Sequence, residues 1–357
     1  MEKDNLLASK QASKQASKQA SNCTFIKTVL MILVIIYHSC VFWRGDWFPI
    51  IDVKLQSNIL SVGAEWLNSF HVYGFTLVSG YLFYYLKIEL GKYKIFSVFC
   101  VNKIKRLIIP YVFTSIVWVV PISCSLGLYS KTEIISRFIF ATGPSQLWFL
   151  WMLFDVFLMA WSLNKFVTNN MLCIIICGAS WLISLVGAKH IPNVFCIWTA
   201  FNFLPFFIFG MKLREKDGFH LNKIPALAWV LIDVVLFTVL HLSSRSSVVA
   251  AKVISFALNY IVHVIGALMA FFVLQKIASK IEFENKRSVM FLSERSMTIY
   301  LIHQQIIYYV IIWLNGKVNP FINAFANFVI ALSVSLFLSS VLKKFSLTRF
   351  LTGDKNN

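Results

Sequence analysis

The chain has 357 residues, 58% of them hydrophobic and only 13% charged, with 34 Phe and 11 Trp. That charged share is about half what a soluble domain carries, and a soluble fold could not hide so much apolar surface, so a largely helical polytopic membrane protein is expected. The 33 Lys and Arg against 15 Asp and Glu leave a formal charge of +18. Such an excess means either nucleic-acid binding or membrane topology, and where the cations sit decides between them.

In chain order, the first segment, residues 1–24, is polar, and from Ala8 to Ser21 it repeats Ala-Ser-Lys-Gln. It lacks the short apolar core of a signal peptide and has the composition of a disordered cytoplasmic tail. Lys-Gln-Ala-Ser can be encoded AAG CAA GCA AGC, a repeated AAGC. Loss of one four-base unit shifts the reading frame, so the tract is expected to switch expression on and off. Phase variation of this kind suits bacterial genes that alter surface structures.

Ten apolar stretches follow, at about 25–43, 66–86, 107–126, 146–163, 171–187, 194–211, 224–242, 252–275, 291–314 and 320–342. Each is close to the ~20 residues that cross a bilayer as a helix, and none alternates as a barrel strand does. The expected fold is an all-α transmembrane bundle over 25–342, with a C-terminal tail at 343–357. An even count puts both ends on one side. The segments on that side (the N-terminal tail, 87–106, 164–170, 212–223, 276–290 and the C-terminal tail) hold 23 of the 33 Lys and Arg. The opposite side holds eight, and Lys27 and Arg295 lie at helix ends. The positive-inside rule then places both termini in the cytoplasm, and no role for nucleic acid is left. No loop exceeds about 20 residues, so the chemistry must occur within or beside the helices. The seven Cys form no CxxC pair and mostly lie in apolar runs, as small buried hydrophobes do; no metal site is expected.

Ionisable residues inside a span cost ~2.5–3.5 kcal/mol on insertion scales and mark functional positions. Here they are His38, His71, Asp155, Asp233, His263 and His303, with Lys27, Glu65, Glu294 and Arg295 near span ends. Lys27 precedes His38 by eleven residues, about three turns or ~16 Å of helix, so the two share a face at different depths. His38 is either a histidine bonded to a neighbouring helix or a neutral imidazole acting as general base. Lys103, Lys105 and Arg106 sit together at the mouth of the third span; they are a topogenic cluster or a clamp for a polyphosphate. Ser79-Gly80 in the second span permits close helix packing. Asp155 suits proton relay or pairing, and Asp233, without local context, is read as structural.

Six blocks in order resemble the acyltransferase-3 family of integral membrane acyltransferases, over about residues 22–345. Lys27 and His38 are similar to its Arg/Lys-x10-His motif. F-H-V-Y-G-F-T-L-V-S-G-Y from Phe70, K-I-K-R-L-I-I-P-Y from Lys103, L-W-F-L from Leu147, F-L-P-F-F-I-F-G from Phe203 and S-M-T-I-Y-L-I-H from Ser296 resemble later blocks. Departures are Lys27 and Lys103 where Arg is common, Gln146 where His often stands, and Val72-Tyr73 for Met-Pro.

The resemblance implies transfer of an acyl group, usually acetyl, from cytoplasmic acetyl-CoA to a sugar hydroxyl. The sugar would belong to a surface polysaccharide, a lipopolysaccharide or a lipid-linked saccharide, and the enzyme to the inner membrane of a bacterium. Lys103, Lys105 and Arg106 would bind the CoA phosphates. His38, with Lys27 below it, would meet the thioester as general base or by taking the acetyl itself. His71, Ser79, Asp155, Glu294 and His303 would orient the acceptor or move protons, Glu294 by pairing with the cationic cluster. The alternative is a transporter or flippase of a lipid-linked saccharide, for which no inverted repeat is visible.

Overall fold

The computed structural model describes residues 2–281 and 287–353, and among them every regular element is helical. The helices are α1 (Glu2–Cys40), α2 (Asn58–Tyr84), α3 (Phe96–Lys103), α4 (Ile109–Thr114), α5 (Val120–Ser125), α6 (Lys131–Ile134) and α7 (Trp148–Val167). They continue as α8 (Asn170–His190), α9 (Ile197–Glu215), α10 (Ala226–Ser244), α11 (Val249–Ile281), α12 (Arg287–Leu314), α13 (Pro320–Leu342) and α14 (Ser346–Leu351). Residues 282–286, within the loop expected at 276–290, and the last four residues of the expected C-terminal tail lie outside the described residues. Helix α1 begins at Glu2 and so runs through the Ala-Ser-Lys-Gln repeat, where a disordered tail was expected. Ala, Lys and Gln are good helix formers and no Gly or Pro interrupts them.

Nine helical stretches among the described residues are long and apolar enough to cross a membrane, one fewer than the ten expected. The one that falls short is α2. It has 27 residues, but Asn58, Glu65, Asn68, His71 and several hydroxyls lower its hydropathy. Its surroundings explain that composition. Tyr37 of α1 lies against His71, ring centroids 5.0 Å apart, while Leu30 faces Gly74, so α2 runs against α1. Tyr73 stacks on Phe203 and Tyr81 accepts a hydrogen bond from Arg214, so it runs with α9. Ser69 accepts from His263 and Gly74 faces Ala270, so it also runs with α11. A helix enclosed by α1, α9 and α11 passes through the same layer as they do without meeting much lipid. With α2 counted, these directions are those of the second, sixth and eighth members of an alternating series of ten passes.

α2 and α9 cross in close contact. A Cβ on Gly80 would lie 1.9 Å from the Phe207 carbonyl oxygen, and one on Gly210 1.9 Å from that of Leu77. Only hydrogen fits at both positions, so the glycines of the V-S-G-Y and F-I-F-G blocks are spacers for each other.

The third pass is a single rod, Phe96–Ser125, interrupted by two π-helical turns, Ile104–Ile108 and Ser115–Val119. Each ends just before a proline, Pro110 or Pro121. Proline lacks the N–H that would bond the carbonyl four residues back, and the helix widens there. The amides of Ile109 and Val120 reach one residue further, to Ile104 and Ser115.

Candidate active site

A cavity of about 780 Å³ opens between α1, α2, the third pass, α7 and α12. It collects residues from most of the sequence blocks. Lys27 and His38 both line it, as their shared helix face requires, together with His71, Ser79, Lys103 and Arg106. Lys105 does not; it is exposed on the outside of the π turn. Asp155 does not line the cavity either, and its Oδ2 is buried without a partner among the described residues. Glu294 is exposed and lies 3.7 Å from Arg295 rather than at the 103–106 cluster. His303 is fully buried behind His38. Asp233 and His263 are outside the cavity: Trp66 donates to Asp233 at 2.8 Å, and His263 stacks on Tyr73. No group of three or more His, Cys, Asp or Glu is placed to hold a metal among the described residues.

The two ends of the cavity differ chemically. At one end are Lys27, Lys103 and Arg106. Lys103 Nζ lies 3.4 Å from the Phe157 ring centroid and Lys27 Nζ 5.4 Å from that of Phe75, cation–π contacts, and neither ammonium has a hydrogen-bond partner among the described residues. No Asp or Glu is among the described lining residues. The nearby acids are taken: Glu89 by Arg214 and Glu215 by Lys212. Three cations facing one cavity without a counter-charge among the described residues suit a polyanionic ligand.

At the other end are Trp47, Tyr129, Thr142, Ser145, Asn193, Thr199, Gln304 and Tyr308, all neutral. Burial pushes the Tyr129 phenol above its ordinary range, with Arg137 opposing, so it stays a hydroxyl. The α1–α2 loop carries Trp47 here and is fastened at two points: Trp43 donates to the Leu55 carbonyl, and Asn315 donates to that of Asp52. Phe48 stacks on Tyr308 at 4.5 Å.

His38 lies between the ends, and its hydrogen bonds fix its tautomer. His303 Nδ1 faces the carbonyl oxygens of Ile299 and Tyr300, at 3.1 and 2.8 Å, and must donate to them. Its Nε2 therefore carries a lone pair, and it faces His38 Nδ1 at 3.1 Å. His38 Nδ1 also faces the Val34 carbonyl at 3.0 Å, so it too must donate. The remaining nitrogen of His38, Nε2, is then a lone pair without a protein partner among the described residues. A neutral imidazole held this way is prepared to take a proton. His71 is set likewise, its Nδ1 donating to the Leu67 carbonyl at 2.5 Å. Ser79 donates back to Phe75 at 2.9 Å, which leaves its oxygen as an acceptor.

Gln146, which stands where His was expected from the family pattern, ties α7 to α12. Its Nε2 donates to the Leu301 carbonyl at 2.9 Å and to Gln305 Oε1 at 2.8 Å, and Gln305 returns a bond to its Oε1. Trp47, Tyr308 and Gln305 were not singled out from the sequence. A Trp in a loop, and a Tyr among many in an apolar helix, give no signal there; Gln305 did give one, as an amide inside a span.

No curated protein and no solved structure matches the chain. The family model of the acyltransferase domain, acyltransferase-3, matches residues 23–344, from the apolar part of α1 to the end of α13, so the chain belongs to that family and is a multi-pass membrane acyltransferase.

Proposed function

We propose that this acyltransferase moves an acetyl group from cytoplasmic acetyl-CoA to a sugar hydroxyl of a bacterial surface polysaccharide or lipopolysaccharide, working in the inner membrane. The observation that carries this reading is the chemical gradient along one cavity: cations without a counter-charge and then a His38 nitrogen without a partner among the described residues, then neutral hydroxyls and aromatic rings. The CoA phosphates would dock on Lys103, Arg106 and Lys27, with Lys105 adding only outer positive charge. The positive-inside bias puts that end, and both termini, in the cytoplasm. The pantetheine arm would lead the thioester to His38.

His38 Nε2 takes the proton from the sugar hydroxyl as its oxygen attacks the thioester carbonyl carbon. The carbon–sulfur bond breaks, and the proton passes from His38 to the departing CoA sulfur. Direct attack needs one step where an acetyl-histidine needs two. The AAGC-type tract would make expression of this activity phase-variable; mixed codons in the tract would remove that part of the reading.

The test uses labelled acetyl-CoA and membranes from cells with and without the gene. Label is expected in an alkali-labile ester on glycan only when the gene is present. His38→Ala should lower transfer by ~10²–10⁴-fold, the usual worth of a general base, with the protein still in the membrane. Glycan that stays unlabelled, or an active His38→Ala protein, would overturn the proposal.

A further inference from the structure

Gln304 lines the neutral end of the cavity, is only 3% exposed, and its Oε1 is buried without a hydrogen-bond partner among the described residues. A chain of hydrogen bonds fixes which atom of this amide is left over. The Leu301 carbonyl can only accept, so the atom of Gln146 facing it is Nε2, and Gln146 Oε1 is an acceptor. Ser145 Oγ lies 2.8 Å from that Oε1 and must donate to it. With its one proton used, Ser145 Oγ can only accept from Gln304, at 2.9 Å, so the atom of Gln304 facing it is Nε2. Gln304 Nε2 also donates to the Tyr308 hydroxyl. Gln304 Oε1 is thus a fixed acceptor lacking a donor among the described residues, and Tyr308, which accepts from Gln304 and also lies against Ser145, presents its hydroxyl beside it. A buried carbonyl of this kind costs ~1–3 kcal/mol unless something donates to it.

The backbone around this point is independently unusual. Ala141, Ser145, Phe195 and Cys196 all have positive φ, between 48° and 58°. The two loops that carry them are clamped together: the Phe195 amide donates to the Phe140 carbonyl at 2.8 Å and the Cys196 thiol to that of Ala141 at 3.1 Å. Left-handed non-glycine residues cost ~1–3 kcal/mol each and persist where a site over-determines them. Here they hold Ser145 and Gln146, the first links of the chain that orients Gln304.

One hydroxyl that donates to Gln304 Oε1, beside the Tyr308 hydroxyl, satisfies that carbonyl. Trp47 supplies a face beside them, its ring 5.0 Å from Tyr308 and 5.7 Å from His38. No Lys or Arg is among the described lining residues at this end, and the adjacent Arg137 is engaged by the Tyr129 ring, 4.5 Å away, and by the Gly143 carbonyl at 3.3 Å. We infer that Gln304, Tyr308 and Trp47 form the acceptor subsite, which holds an uncharged sugar ring by one hydroxyl while another meets His38. This rests on the acyl-transfer reading proposed above.

The experiment measures acetylation of membrane glycans from cells lacking the gene by the purified full-length protein and labelled acetyl-CoA. The acetylated residue is identified by mass spectrometry. Gln304→Met should raise the KM for glycan about tenfold, the worth of one neutral hydrogen bond to a substrate hydroxyl, and leave the KM for acetyl-CoA unchanged. Gln304→Glu keeps an acceptor oxygen and should recover part of the loss. Tyr308→Phe, a milder change should Gln304→Met misfold, should raise the same KM by less. Unchanged glycan KM in both Gln304→Met and Tyr308→Phe, or acetyl on a uronate or other charged sugar, overturns the subsite alone. Failure of the unmodified protein to acetylate any glycan overturns the acyl-transfer reading, and the subsite with it.

Discussion

His38 and His303 lie 265 positions apart in sequence and 3.1 Å apart in space. Lys27 and His38 were legible in the sequence because their spacing on one helix is enough to align them. The role of His303 was not, because it depends on a partner from the opposite end of the chain. His303 is a positioning residue: with the Val34 carbonyl it holds the proton of His38 on Nδ1 and leaves Nε2 free. His303→Gln, which can still accept that hydrogen bond, should keep more activity than His303→Leu. The loss in His303→Leu should fall on kcat, by about tenfold to a hundredfold, and not on the KM for acetyl-CoA. Its pH–rate profile should move as the His38 Nδ1 proton keeps the Val34 carbonyl but loses its second acceptor. An equal loss in both variants, with an unmoved profile, would reduce His303 to a packing role. The same dependence on distant partners hid Tyr308 and Trp47, whose significance lies in the hydroxyl and face they present together.

At the scale of elements, the ten stretches read from the sequence correspond to nine described helical stretches long and apolar enough to cross a membrane, and to α2, whose polar residues lower its hydropathy. α2 meets helices rather than lipid, so its polar residues violate nothing, and three of them, Asn68, His71 and Ser79, reach the cavity. From the sequence Lys103, Lys105 and Arg106 read as one cluster. Helical spacing divides them: Lys103 and Arg106, three apart, share a face towards the cavity, and Lys105 turns away from it. Arg106→Gln should therefore raise the KM for acetyl-CoA by roughly tenfold or more, as loss of a charge-assisted bond does, whereas Lys105→Gln should change it less than twofold. Steady-state kinetics at fixed ionic strength decides. Equal effects would mean that the cluster acts as diffuse charge.

For the whole molecule, the composition was sufficient to give a helical membrane bundle, and the loop charges set an expectation for its orientation. What they could not give is how the passes are arranged, since that follows from contacts such as Gly80 with Phe207 and Tyr37 with His71. If α2 crosses the membrane, reporters fused after α1 and after α2 should report opposite sides, and both ends of the chain should report the cytoplasm. A reporter at residues 87–94 that reads periplasmic would remove α2 as a pass.

Among the described residues no acid lines the cavity, and three cations do, which has one more consequence. A hollow within a membrane protein threatens to let protons and metal cations through. Fixed positive charge along such a path repels them, as it does in pores that exclude cations. The groups suited to gripping an anionic donor would then also insulate the membrane between turnovers, so that the empty enzyme does not short-circuit the gradient across it.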